Sequence, residues 1–102
     1  MLSTPRLSHT AALILRAIQL GYCFGFDIME VTGLPSGTVY PALRRLERDG
    51  LAASKWEAES SATADQRPAR RYYEITKAGK SAALWVTERY PLLSRLLPKR
   101  NG

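Results

Sequence analysis

The sequence predicts a mainly α-helical fold carrying a single β-hairpin, and three observations predict it. Before residue 50, apolar residues recur at helical spacing in successive stretches. After Gly50 the period switches to two. Beyond Thr76 a helical period returns. The chain has 102 residues, enough for one domain and too few for two ordinary ones. At 45% hydrophobic and 24% charged, it holds enough apolar material to bury a core.

The first helix is expected to be capped by Ser8 or Thr10. Its apolar positions Ala11, Ile14, Leu15 and Ile18 follow the i, i+3, i+4, i+7 pattern, and Gly21 is a plausible stop. Leu13, Ala17 and Leu20 widen that stripe beyond what one packing partner needs. A short second helix spans about Phe26 to Val31 and ends at Thr32-Gly33. Pro35-Ser36-Gly37 opens a third, which runs to about Asp49 with Gly50 as terminator. Val39, Ala42, Leu43 and Leu46 form its buried stripe; at 100° per residue, Gly37, Pro41, Arg44 and Arg48 face outward. Proline inside a helix loses a backbone bond, so Pro41 places the start near Ser36 or Gly37, with the proline around the first turn.

Leu51 to Glu59, with Trp56, reads as a strand. Arg70 to Thr76 reads as its partner, because Arg71, Tyr73 and Ile75 alternate with Arg70, Tyr72 and Glu74. The small, polar run Ser60 to Pro68 forms the hairpin tip. A last helix starts at or near Thr76, with a stripe of Ala82, Trp85, Val86, Tyr90, Leu93, Leu96 and Leu97. Pro91 must kink or split it. Three helices and a two-stranded hairpin make a winged helix-turn-helix, here plus one C-terminal dimerisation helix. The expected division is 1–79 for the winged unit and 80–102 for the dimerisation helix, in one compact body.

Charge points to a class of partner. Residues 1–66 carry 6 basic and 7 acidic side chains, and residues 67–102 carry 9 and 2. A neutral body with a basic last third suits a polyanion. One cysteine (Cys23) and one histidine (His9) exclude a disulfide within the chain, a zinc site and a Cys/His catalytic pair. No acid–base pair or nucleophile suggests an enzyme, and no cofactor is expected. The first residues lack a signal peptide's apolar stretch, no run is long enough to span a membrane, and the expected location is the cytoplasm.

Several linked motifs resemble the PadR family of bacterial transcriptional regulators. They are Gly25-Phe26-Asp27-Ile28-Met29-Glu30, the run from Leu34 through Gly37-Thr38-Val39-Tyr40-Pro41 to Leu46-Glu47-Arg48-Asp49-Gly50-Leu51, and Ser54-Lys55-Trp56-Glu57. Arg70-Arg71-Tyr72-Tyr73-Glu74-Ile75-Thr76-Lys77-Ala78-Gly79 completes the set. The similarity covers about Leu13 to Gly79. It implies a homodimer built through the last helix, binding double-stranded operator DNA, usually repressing, and open to release by a small planar effector. Some members sandwich planar ligands between aromatics of the last helix, which makes Trp85 and Tyr90 candidates for a ligand site or for plain dimer interface. Only about 20 residues follow Gly79, leaving room for one such helix.

The residues themselves suggest the DNA contacts. The first residues of a third helix enter the major groove, where the positive end of the helix dipole favours phosphate. Ser36, Gly37, Thr38 and Tyr40 stand there. Ser36 either caps the helix or contacts phosphate, and the two are compatible. Tyr40 lies between the buried and outward faces and serves either the core or the groove. Arg44 either meets a base edge or phosphate, or pairs with Glu47. In the wing, Arg67 at the tip has the greatest reach and Arg70 follows; strand alternation keeps Arg70 and Arg71 from both facing DNA. Trp56, Tyr72 and Tyr73 are expected to pack across the hairpin. A winged-helix module for protein contact or scaffolding is the competing reading.

Overall fold

A computed structural model describes residues 7–58, 64, 66, 68–95 and 97–98, with the backbone alone at 93 and 94. In chain order the elements are α1 (His9–Gln19), α2 (Gly25–Thr32), α3 (Ser36–Arg48), β1 (Ala52–Trp56), β2 (Arg71–Ile75), α4 (Lys77–Arg89) and α5 (Pro91–Ser94). This is the expected winged helix-turn-helix. Among the described residues, no helix is long and apolar enough to cross a membrane, and no cluster of metal-ligating side chains forms.

Of the two candidate caps, Ser8 is the one used, its hydroxyl accepting the Ala11 N–H at 3.0 Å. From there α1 runs through the centre of the molecule, touching α2, α3, α4 and β2. Ile14, Leu15 and Ala17 are completely buried, packed with Ile28, Val39, Leu43 and Leu46. Ala17 is therefore core, not surplus apolar surface, and Leu13 is half-buried against the same cluster. All the other helices and β2 border α1, so its stripe has to be wide.

The turn between α2 and α3 depends on Gly33, at φ +74°, a left-handed conformation that side chains rarely adopt. Its N–H donates to the Met29 carbonyl at 2.9 Å. The N-cap of α3 is Pro35, whose carbonyl receives the N–H groups of Thr38 (2.9 Å) and Val39 (3.0 Å). Ser36 is thus the first helical residue and not a cap. The helix starts at Ser36, as Pro41 required; the proline is the sixth helical residue, just past the first turn, and leaves the Gly37 carbonyl without its usual donor.

The hairpin is antiparallel, with Ala52 opposite Ile75, Ser54 opposite Tyr73 and Trp56 opposite Arg71. It is sewn to the helical body on both sides. Phe24 bridges Tyr72, and the Tyr73 N–H donates to the Cys23 carbonyl at 2.8 Å. Thr76 caps α4 by accepting the Gly79 N–H (2.9 Å) while its hydroxyl donates to the Gly50 carbonyl (2.6 Å).

The last helix departs from expectation. Its buried stripe consists of Gly79, Ala82, Ala83 and Val86, whereas Trp85 and Tyr90 are exposed by 36% and 39%. Pro91 does split the helix. Beyond it, Leu97 returns to the domain's own core, and the Tyr22 hydroxyl donates to the Pro98 carbonyl at 2.8 Å. The side chain of Leu93, and Leu96 altogether, lie outside the described residues.

Candidate nucleic-acid interface

Burial of Val39, Ala42, Leu43 and Leu46 turns the opposite side of α3 outward. Ser36, Gly37, Tyr40 and Arg44 are exposed there and Thr38 is half-buried. No described carboxylate pairs with Arg44. Glu47, its expected partner, is engaged by the wing: it holds Arg71 at 3.3 Å and accepts the Ser54 hydroxyl at 2.7 Å. That pairing fixes the hairpin against α3, and Arg44 has no compensating carboxylate among the described residues.

Tyr40 packs against α2 and is still 39% exposed. Its ring lies directly on Gly25, where an added Cβ would come within 2.5 Å of the ring and 2.6 Å of the hydroxyl. Glycine at the first position of α2 is thus what lets the ring lie flat there. The rest of the side chain remains exposed. Sequence reasoning missed Gly25, although its place at the opening of a helix, where glycine has no helix-forming merit, was the available signal.

In the wing, Arg70 stands one residue before β2, and its carbonyl accepts the Glu57 N–H at 2.7 Å, which carries the ladder one pair further. Its guanidinium lies 4.0 Å from the centroid of the Phe24 ring and 3.7 Å from Glu57. Arg71 lies 5.9 Å from the Trp56 ring and accepts no freedom from Glu47 and Ser54, which hold it at 3.3 and 2.8 Å. Arg70 and Arg71 therefore border the same cleft, contrary to the expectation that they would diverge. Arg67 lies outside the described residues.

That cleft, of about 390 Å³, separates α3 from the hairpin, and Tyr40, Arg44, Trp56 and Arg70 line it. Trp56 is 66% exposed and has no aromatic partner among the described residues, so the expected packing across the hairpin does not occur there. Tyr72 packs instead against Phe24, centroids 6.3 Å apart. Tyr73 is buried, and this burial pushes its phenol above its ordinary pKa; Arg71 pulls it down, Glu47 and Tyr40 push it further up. A cleft of similar size, about 400 Å³, borders Tyr22, Asp27, Glu30 and Val31. Its two carboxylates make it unsuited to a polyanion.

Away from the cleft, Trp85, Tyr90 and His9 form a chain of edge-to-face rings. The Trp85 and Tyr90 centroids are 6.3 Å apart, and those of Tyr90 and His9 are 5.2 Å apart. Leu84 and Leu92, exposed by 58% and 72%, accompany them.

The model of the Transcriptional regulator PadR-like family matches residues 14–84. No protein of curated function matches significantly. Among solved structures, the chain is similar to a PadR family transcription regulator from Clostridium difficile R20291. That match has 24% identity and a TM-score of 0.72, over 87% of this chain and 94% of the other. It is similar to a PadR family transcriptional regulator from Eggerthella lenta, with 26% identity and a TM-score of 0.61 over 85% and 79%. A third similarity is to Bordetella bronchiseptica BpsR, whose DNA binding is regulated by 6-hydroxynicotinic acid. There the identity is 16% and the TM-score 0.66, over 93% and 67%.

Proposed function

Because the chain belongs to the PadR-like family of transcriptional regulators, we propose that it is a cytoplasmic homodimeric repressor that reads operator DNA with α3. A small planar molecule releases it. It has no catalytic role. The observation that carries this reading is the outward half of α3: Ser36, Gly37, Tyr40 and Arg44 exposed, with Arg44 free of any described carboxylate. Helix N-termini and an unpaired arginine suit phosphate and base edges.

Ser36, Gly37, Thr38 and Tyr40 take the backbone at the groove's edge, Arg44 reaches a base or phosphate, and Arg67 and Arg70 track the adjacent backbone from the wing. Residues 1–79 form the DNA-binding unit. Residues 80–102 supply dimer contacts through Leu84, Trp85, Tyr90 and Leu92, too large an apolar set for a domain of this size to leave in water. In the dimer, two α3 helices enter successive major grooves roughly 34–36 Å apart, on a palindromic site. The small-molecule control of BpsR supports release by an effector.

The test is duplex affinity as a function of salt, together with mapping of bound fragments across the source genome. Several phosphate contacts make affinity fall by orders of magnitude between low and moderate salt. Affinity that is absent, or flat with salt, returns the chain to a protein-contact module.

A further inference from the structure

The cleft between α3 and the hairpin has walls that DNA backbone does not need. Five aromatic side chains border it: Phe24, Phe26, Tyr40, Trp56 and the buried Tyr73. Phe26 and Trp56 are left 61% and 66% exposed, an unfavourable state for large rings that at Trp56 is offset, among the described residues, only by the Arg71 guanidinium 5.9 Å from the ring centroid. At about 390 Å³ the space falls in the range of small-molecule sites, which combine apolar walls with a few convergent polar groups.

The charges bordering it fix the sign and size of the missing partner. Arg44, Arg70 and Arg71 all line the cleft. Glu57 neutralises Arg70 at 3.7 Å and Glu47 neutralises Arg71 at 3.3 Å. Arg44 has no such carboxylate, so among the described residues one positive charge is left over. Its guanidinium is planar and offers a two-pronged match to a carboxylate.

We propose that this cleft binds a planar aromatic monoanion, its ring against Trp56 and Phe26 and its carboxylate on Arg44. Tyr40 and Arg44 are also the residues assigned above to DNA, so the bound anion excludes the duplex directly. No change of subunit arrangement is required. The exclusion rests on the DNA-binding reading; the occupancy of the cleft does not.

The experiment is calorimetric titration of the full chain with 2-naphthoate. The controls are neutral 2-naphthylmethanol and the aliphatic anion cyclohexanecarboxylate. Naphthoate binds, and each control binds at least about tenfold more weakly. Arg44→Ala and Trp56→Ala each weaken naphthoate by about tenfold or more without lowering the melting temperature, since both side chains are exposed. Trp85→Phe acts on the proposed dimer contact and leaves naphthoate affinity where it was. Absence of naphthoate binding at millimolar concentration overturns the proposal. So does equal binding of the neutral control, or loss on Trp85→Phe with retention on Trp56→Ala, which places the ligand on the last helix. A labelled duplex then separates the two claims. Displacement by naphthoate supports the exclusion, and simultaneous binding refutes it. A chain that takes naphthoate and no duplex keeps the cleft site and loses the DNA-binding reading.

Discussion

Helices α3 and α4 are each 13 residues long, belong to one domain and bury one stripe apiece, yet they offer the outside world opposite chemistries. The stripe of α3 is Val39, Ala42, Leu43 and Leu46, and its outer face carries Arg44, Arg45 and Arg48. The stripe of α4 is Gly79, Ala82, Ala83 and Val86, and its outer face carries Leu84 and Trp85 between the charged ends Lys77, Lys80 and Glu88, Arg89. Bulky residues inside α3 supply its anchorage, so its surface is free to be charged. Small residues inside α4 let it approach closely but bury little apolar area. Its remaining hydrophobic side chains are on the wrong side for this domain. A charged outer face suits a polyanion, and an apolar one suits a second copy.

The sharpest way to break this comparison is at the close approach itself. A Cβ on Gly79 would stand 2.0 Å from the Leu51 carbonyl oxygen and 2.7 Å from the Ile75 side chain. Backbone cannot step aside as a flexible side chain can. Gly79→Val is expected to cost about 3 kcal/mol or more, at or above the upper end of ordinary overpacking. Thermal melting reads this as a fall of well over ten degrees, given roughly 4–8 °C per kcal/mol for a domain of this size.

On the outer face of the same region the effect should be on assembly, not folding. Leu92 is 72% exposed, so Leu92→Asp should leave the melting of the monomer nearly unchanged. In a symmetric dimer it removes two buried leucines, a loss of roughly 2–3 kcal/mol, and sedimentation should show a monomer where the parent chain is dimeric. Unchanged sedimentation would mean that this face is not the contact.

The corresponding tests on α3 should leave both folding and assembly alone. Arg44→Ala is expected to weaken operator binding by about 1–3 kcal/mol and to relax preference at one position of each half-site. Tyr40→Phe keeps the ring over Gly25 and removes only the hydroxyl, for a loss of about 1 kcal/mol in operator affinity and no change in melting. If Tyr40→Phe melts early while binding normally, its hydroxyl belongs to the fold.

Which of these faces was legible from sequence follows from residue size. In α3, Pro35-Ser36-Gly37 marks the start and three large or branched residues, Val39, Leu43 and Leu46, mark the stripe with Ala42, so periodicity locates both. In α4 three of the four buried residues, Gly79, Ala82 and Ala83, are glycine or alanine, which carry almost no periodic signal. Ala82 and Val86 are read correctly, but the eye is drawn to Trp85 and Tyr90, which lie outside the buried stripe. Trp56 was misplaced for a related reason: aromatic residues in a hairpin suggest cross-strand partners, but the residue opposite it is Arg71. Arg70 reaches the same cleft as Arg71 because its long side chain lies over the Phe24 ring, 4.0 Å from the centroid, a contact that strand alternation does not foresee. The packing of Tyr40 on Gly25 joins two helices, and spacing within either one is silent about it.

The smallest effect concerns the residue under the cleft. Tyr73 is buried and its phenol is held above its ordinary pKa, chiefly by burial. An unfolded chain releases this proton near pH 10, while the folded chain holds it to higher pH. Above that point the folded state binds more protons than the unfolded one, so stability falls as pH rises. The contribution is complete below about pH 10 and is lost as pH climbs through the raised folded value. Tyr73→Phe removes the titration and keeps the ring. Denaturant unfolding of both proteins from pH 8 to 11 should therefore give curves that run parallel at first and separate above about pH 10 in favour of the phenylalanine variant. The separation cannot exceed about 1.4 kcal/mol per pH unit, and Arg71 opposes it. Curves that stay parallel throughout would mean that water entering the cleft solvates the phenolate. The wall between α3 and the hairpin would then be more open than the packing of Tyr73 implies.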